Sequence, residues 1–556
     1  MIFRCPAGGC KWYLYATPNG LDGSWIIKTL IDDHSCGNFR VGSKNRQANS
    51  DWVSRVCMRR LRKNPDLPPL KLVSAINEEY MVKISYKVAW LAKEKAMRKI
   101  RGSYSHSYQM LETYCNELKK VDPDAVTDIL TNPLGNFECI FWTYGITIRA
   151  YKKTLRRIIL VDGTFLKGRY PGTILTAIAV DGNNHIFPIA FAIVMKEKNE
   201  SWGWFFTKLR DHVVGEDHEF ILLSDRHKSI IQGVPKILPK AIHKYCSYHL
   251  SGKFGNKKIK FLVQEGAKTL NQDEFWGMML RIWCMSSKAH EKLMDVGPVE
   301  KWASDFQEKS RSYNLIMCCM YGIVSTNHVE SWNKMIVGER MMPVTTVLSM
   351  IRDNVIRHYR DYHNDSLKFN SPVTTWCQEL IIHNASTARR CTVERVSAGI
   401  WTVTGLVRSC VVDLNKRTCT CKWFQHMGIP CAHAMAAIKD VGHDPYKFVD
   451  VFFLKETYME TYKEEWIPTP GKESWPTARP TRKILPPLKV CMPGRPKVVR
   501  KRGKAEGVPV QSRRCSRCKR RGHNKKTCTE FIDDYDLFTP MQFGEGPPLS
   551  PLNQTV

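Results

Sequence analysis

The sequence predicts a mixed α/β core flanked by small zinc-binding modules. Three observations carry this expectation. Between residues 155 and 250, a meander of apolar runs gives way to alternating helical and strand-like stretches. Cysteine and histidine cluster at three places outside that stretch. The 556 residues carry a formal charge of +31, unevenly spread, and leave room for three or more domains.

The elements follow in chain order. Residues 1–45 hold strand-like stretches with Cys5, Cys10, His34 and Cys36. Residues 50–135 read as a helical, DNA-binding region: Asp51 to Arg62, Leu70 to Glu79, Tyr86 to Arg98 and Ser105 to Lys119, punctuated by Asn64-Pro65 and Pro68-Pro69. Arg157 to Val161 is a short apolar run ending at Asp162. Thr173 to Val180 is a second run. Asp181-Gly182-Asn183-Asn184 is a hairpin turn, and His185 to Val194 a third run. A helix from Trp202 to Val213 precedes the run Phe220 to Leu223, which ends at Ser224-Asp225. A helix from Lys228 to Leu238 and a strand from Ala241 to Tyr245 complete the pattern. This order predicts a mixed five-stranded sheet in the layout of an RNase H-like core over 155–365, with a helical insertion at 250–325 and a late helix from Val344 to Arg360. Trp202 is expected to pack in the core. Residues 400–440 return to short strands and then a helix. From Ile467 onward the chain is Pro-rich and basic, and is expected to be disordered outside one Cys/His cluster.

Charge narrows the choice of partner. Lys472 to Lys526 hold 19 Lys and Arg against Glu473 and Glu506, whereas residues 531–556 form an acidic tail without Lys or Arg. A chain this basic points to a polyanion, with nucleic acid as first candidate. Within the linker 467–512, Arg495, Lys497, Arg500, Lys501 and Arg502 are the expected DNA contacts. Pro493 to Lys497 reads either as an AT-hook core, with Arg495 in a narrow minor groove, or as a plain basic linker. Lys497 to Lys504 suits a nuclear import signal. The N-terminus lacks the apolar stretch of a signal peptide, and no apolar run approaches 18 residues, which argues against secretion and a membrane partner. The 20 cysteines are then expected to be reduced, and their clusters read as metal sites rather than disulfides.

Cys515-x2-Cys518-x4-His523-x4-Cys528, within 513–530, can close around one tetrahedral Zn²⁺. A loop this short has no hydrophobic core, so the metal must supply its folding free energy. The pattern is that of a CCHC zinc knuckle, a module for single-stranded nucleic acid. Lys519, Arg520 and Arg521 stand between its ligands where a stacking aromatic would be usual, which favours phosphate contacts. Cys419-x-Cys421-x9-Cys431-x-His433 pairs an extended stretch with a helix start, and with its flanks resembles the SWIM zinc finger. Cys5-x4-Cys10-x23-His34-x-Cys36, with Trp12 and Trp25, resembles the WRKY-like N-terminal finger of plant Mutator-like transposases, where a small sheet enters DNA. Met1 stands four residues ahead of Cys5, so the resemblance implies a shortened N-terminus.

Asp162 to Gly168, Trp202 to Phe206, Ser224 to Ile230, Cys246-Ser-Tyr-His249 and Asn327 to Asn333 appear in the order of Mutator-like transposase domains. By position alone, Asp162 and Asp225 are acids at strand ends, and Glu330 opens a helix capped by Ser325, Thr326 or Asn327. The resemblance implies that these three are the catalytic ligands of Mg²⁺ or Mn²⁺, since carboxylates suit a hard dication. It gives Cys246 and His249 an accessory role at the same site. It further implies a nuclear protein that cleaves and transfers DNA strands at terminal inverted repeats, with structural zinc and room for self-association. The alternative is a domesticated zinc-finger regulator that binds promoter elements without catalysis.

Overall fold

In the computed structural model the described residues are 1–5, 9–20, 24–35, 48–64, 67–80, 82–216, 218–304, 321–405, 408–469, 475 and 483–488. Cys36, the knuckle ligands Cys515, Cys518, His523 and Cys528, and the basic residues Arg495, Lys497, Arg500, Lys501 and Arg502 lie outside them. The chain divides into two compact units, whose described parts belong to Met1–Met97 and Arg98–Met492.

The first unit opens with an antiparallel sheet of β1 (Ile2–Arg4), β2 (Tyr13–Pro18) and β3 (Trp25–Ile31), in that order. Helices Ser50–Val56, Met58–Lys63, Pro69–Tyr80 and Tyr86–Arg101 follow, close to the predicted spans. The helix expected from Asp51 to Arg62 breaks at Cys57. Asn49 starts the first helix, its side-chain oxygen accepting from the N–H groups of Asp51 and Trp52. Those donors have no partner within the helix, so the cap satisfies them.

The second unit is built on a seven-stranded mixed sheet, not the five-stranded one expected. Its strands are β4 (Val126–Thr131), β5 (Phe137–Thr143), β6 (Ile158–Phe165), β7 (Thr173–Val180), β8 (Ile186–Val194), β9 (Phe220–Ser224) and β10 (Ala241–Tyr245), arranged 10-9-6-7-8-5-4. β7 to β10 match the predicted stretches, while β6 runs past its expected end at Asp162 to Phe165, because Leu160 to Phe165 pair with Ile178 to Thr173 of β7. The additional pair is a hairpin inside and just beyond the stretch expected to be helical, 50–135. Two features of the sequence explain it. Phe137–Thr143 is a largely apolar run whose last part, Cys139 to Thr143, pairs with Val194 to Ala190 of β8. Asn132-Pro133-Leu134-Gly135 turns the chain, with Asn132 Oδ1 accepting from the N–H groups of Leu134 and Asn136 and Gly135 in the left-handed region.

Both faces of the sheet are covered. Side chains alternate along each strand, so Ile158, Leu160, Ile221 and Leu223 face one layer, with helices Leu111–Val121, Asn327–Met335 and Val344–Ser366. Ile159, Val161, Phe220 and Leu222 face the other, with helices Gly145–Thr154, Asn199–Leu209 and Lys228–Ile237. Trp202 is fully buried in that second layer, as expected. The central strand β7 is buried along its whole length, which accounts for its unbroken apolar sequence.

After β10, helices Lys257–Lys268, Gln272–Met285 and Ser287–Met294 enclose a small separate core around Val263, Phe275 and Ile282. A further module follows the long helix Val344–Ser366. It joins helix Thr375–Ala388, a sheet of β11 (Thr392–Ser397), β12 (Ile400–Thr404), β13 (Cys410–Asp413) and β14 (Thr418–Cys419), and helix Ala432–Val441.

This module is locked to the large sheet through the turn between β7 and β8. Asp181 is fully buried. Its carboxylate accepts from the N–H groups of Asn183 and His185 and from the Tyr462 hydroxyl, the last at 2.6 Å. Arg156, also fully buried, donates to the Asp181 carbonyl and lies over the rings of Tyr321, Trp376 and Phe453. Thr374 Oγ1 donates to the Gly182 carbonyl, and the Trp376 N–H to Asn183 Oδ1. The predicted hairpin turn is therefore a buried joint.

Candidate active site and zinc centres

β6 and β9 run parallel, and Leu160 is paired with Leu223. Asp162 and Asp225 each stand two residues further on, so the register brings them side by side, Asp162 inside β6, which runs on to Phe165 rather than ending at Asp162 as expected, and Asp225 just past the end of β9. Two residues along a strand is also one full side-chain period, so Asp162 faces the same layer as Leu160. Helix Asn327–Met335 covers that layer through Val329 and Trp332, which are fully buried against the sheet. Glu330 lies between them in sequence, 22% exposed at the edge of the packed face.

The helix is tied to the strands twice. Asn333 Nδ2 donates to Asp162 Oδ2 at 2.9 Å. It sits three residues after Glu330, hence on the same helix face. That spacing was available in the sequence, although the residue had been given no role. The second tie runs through Thr326, whose carbonyl accepts from the Glu330 N–H while its side chain makes no capping bond to the helix. Its backbone N–H and its hydroxyl each donate to Cys246 Sγ, both at 3.2 Å. The Thr326 Oγ1 also lies 3.3 Å from His249 Nδ1. A hydroxyl has one hydrogen. With that hydrogen given to sulfur, the oxygen accepts from a protonated Nδ1. The other ring nitrogen, Nε2, then faces Glu330 Oε1 at 3.6 Å.

The charges agree with this arrangement. Hydrogen bonding to Cys246 outweighs burial and raises His249 to about 9, with the charges of Cys246, Glu330 and Asp162 adding to the effect. His249 is therefore an imidazolium at neutral pH. Cys246 is held below its ordinary value, because hydrogen bonds from His249 and Thr326 overcome the opposing effect of burial. Asp162 is pushed up to about 6, first by burial and then by the charge of Asp225, with Glu330 adding and His249 opposing. Glu330 Oε1 is closed to solvent and accepts no hydrogen bond among the described residues. An orphaned carboxylate oxygen beside two repelling aspartates is a donor set that fits a hard dication.

Two thiol–imidazole clusters lie apart from this site. Cys419, Cys421, Cys431 and His433 place their four ligand atoms within 4.8 Å of one another. His433 Nδ1 is 3.9 Å from Cys419 Sγ and 4.0 Å from Cys431 Sγ. Ligands on a tetrahedral zinc at ~2.0–2.3 Å stand at such separations. Hydrogen bonds from Cys419 and Cys431 hold the Cys421 thiol below its ordinary value, as a thiolate ligand requires. Lys422, in the left-handed region, turns the first pair inward. Cys431 caps helix Ala432–Val441 and delivers the second. Gln425 clamps Cys419, accepting from its N–H and donating to its carbonyl.

In the first unit, Cys5, Cys10 and His34 gather within 4.8 Å, with His34 stacked on Trp12 at 5.3 Å. Antiparallel pairing of β1 with β2 and of β2 with β3 brings these distant residues together.

Residues 158–253 match the family model of the MULE transposase domain, and residues 402–442 that of the SWIM zinc finger. The chain carries a MULE transposase domain and a SWIM zinc finger. This pairing is consistent with the Mutator-like transposase family. Asp162, Asp225, Cys246 and His249 fall inside the MULE match, while Glu330 lies beyond it, past the helical stretch. Cys419, Cys421, Cys431 and His433 all fall inside the SWIM match, which supports a structural zinc at that cluster. Comparison with curated proteins yields no match. Among the described residues, no helix is long and apolar enough to cross a membrane.

Proposed function

We propose that the chain is a DNA-cleaving transposase with an RNase H-like core, in which Asp162, Asp225 and Glu330 hold Mg²⁺ or Mn²⁺ for phosphodiester cleavage and strand transfer at terminal inverted repeats. The observation that carries this reading is the register of β6 and β9. It sets two aspartates at one height on neighbouring parallel strands, beneath a helix that adds a third carboxylate. Among the described residues, the three carboxylates do not close to the 4.8 Å of the thiol clusters.

Divalent ions bound there would supply an activated water or 3′-hydroxyl and neutralise charge on the leaving oxygen. The chain's own residues do the positioning. Asn333 fixes the rotamer of Asp162, leaving its second oxygen for a ligand. Cys246 and Thr326 hold the start of the Glu330 helix against the end of β10. The His249 imidazolium stabilises the ionised form of Asp162. Support for DNA as substrate comes from the MULE match, the charge of +31 and the Cys/His modules. A nuclear location follows from the same reading.

The experiment is direct. Full-length protein is incubated with Mn²⁺ and a labelled duplex carrying a terminal repeat. Nicks are expected, and Asp162→Ala, Asp225→Ala and Glu330→Gln should each lower the rate by at least about 100-fold. Sequence-specific binding without cleavage under either metal would instead identify a regulator that has kept the architecture and lost the chemistry.

A further inference from the structure

Next to Asp225, on the side of the helical insertion, stand three cations. Arg226 follows Asp225 directly, and its guanidinium lies 5.7 Å from the centroid of the Tyr245 ring, at the end of β10. Lys292, in the last turn of the insertion helix Ser287–Met294, lies 5.8 Å from the centroid of Phe254. Lys253 is the immediate neighbour of Phe254 and is exposed. Among the described residues, none of the three takes part in an ion pair. Arg226 Nε is closed to solvent and has no hydrogen-bond partner there either.

These groups share one electrostatic field. The Lys253 ammonium is held below its ordinary value by burial and by the charges of Arg226 and Lys292, while Asp225 pulls the other way. Uncompensated cations in mutual repulsion are relieved by an anion. The aromatic rings under Arg226 and Lys292 hold those charges in place. The planar fork of Arg226 matches a phosphate, and its orphaned Nε–H is the donor such a ligand would use.

We propose that Arg226, Lys253 and Lys292 clamp a backbone phosphate of the DNA strand that enters the Asp162–Asp225–Glu330 site. The helical insertion is then a wall of the substrate groove as well as a connection between the second aspartate and the glutamate. The identity of the polyanion rests on the DNA-cleaving reading. The cation cluster itself does not depend on catalysis.

Lysine acetylation of the full-length protein, read by mass spectrometry with and without saturating duplex DNA and without added Mg²⁺ or Mn²⁺, tests the clamp. Lys253 and Lys292 should be acetylated at least about 5-fold more slowly when DNA is bound. K253Q/K292Q replaces two exposed side chains and should keep the melting temperature. It should flatten the dependence of log affinity on log salt by up to about 0.9, the slope carried by one phosphate contact. Unchanged reactivity of both lysines, or an unchanged salt slope, would overturn the proposal. Nicking with Mn²⁺ is scored separately. Protection without nicking keeps the clamp and removes the nuclease, and nicking without protection does the reverse.

Discussion

At the scale of single residues, the site is a balance between three carboxylates and one imidazolium. Asp162, at about 6 instead of 3.8, binds its proton more tightly in the folded chain than in the unfolded one. Stability from this group therefore falls as pH rises from about 4 to about 6. A dication that binds the carboxylate restores it. Mn²⁺ should accordingly raise the melting temperature more at pH 7 than at pH 5, and equal shifts at both would contradict the assignment of Asp162 as a ligand. His249 sets the position of this transition. Replacing it in His249→Asn removes the charge that opposes protonation of Asp162, so the midpoint of Mn²⁺ affinity should move to higher pH. Calorimetric titration across pH 5–8 would read the shift, and no movement would mean that the imidazolium does not act on Asp162.

At the scale of elements, burial decides what pH and zinc can do. His243 on β10 is pushed down to about 3, by burial and then by Lys301, and its Nε2 lies 2.9 Å from Ser224 Oγ. The unfolded chain takes up a proton near 6.5 that the folded chain refuses. Stability from His243 is thus complete above pH 6.5 and is lost at about 1.4 kcal/mol per pH unit below it. Denaturant melts of His243→Asn should show a shallower acid slope than the parent. The SWIM finger depends on its metal in a different way. Zinc contributes on the order of 10 kcal/mol to folding in small fingers, more than the short strands β13 and β14 can supply. Cys431→Ser or a strong chelator should remove the zinc and the melting transition of residues 375–450, while the large sheet melts separately.

Elements with a strong period were legible in advance. Thr173–Val180 coincides with its apolar run and Ala241–Tyr245 with the short strand expected there, and Cys419 to His433 announced a finger by spacing alone. Val126–Thr131 escaped because an edge strand, buried on neither side, carries only a weak alternation beside strong helix signals. Asp225 was legible as a strand-end acid, whereas the strand of Asp162 runs on to Phe165 because the polar Asp162-Gly163-Thr164 stretch still pairs with β7. The ties that hold Glu330 were not, because Cys246 and Thr326 are separated by 80 positions in the chain and share no local pattern.

At the scale of the whole second unit, the joint at Asp181 and Gly182 outweighs any surface contact. A methyl group on Gly182 would lie 2.1 Å from the Phe452 carbonyl oxygen, too close for either backbone to yield cheaply. Gly182→Ala should cost roughly 1–3 kcal/mol or more of stability, measured by denaturant melts, and should expose the module carrying the SWIM finger to proteolysis. Arg149 with Glu464 and Lys153 with Glu460 pair at the surface nearby. Being exposed, they add little, so their removal should leave the joint intact.

The joint also sets an order of events during synthesis. β6, β7 and β8 leave the ribosome well before Thr374, Trp376 and Tyr462, the residues that satisfy their turn. Until Tyr462 arrives, the Asp181 carboxylate waits without the hydroxyl that donates to it in the finished protein. A chain stopped short of that tyrosine would already contain Asp162, Asp225 and Glu330 on a sheet whose turn is unsealed. The turn of the core is thus sealed only by residues that come late in the chain, in and after the zinc-finger module.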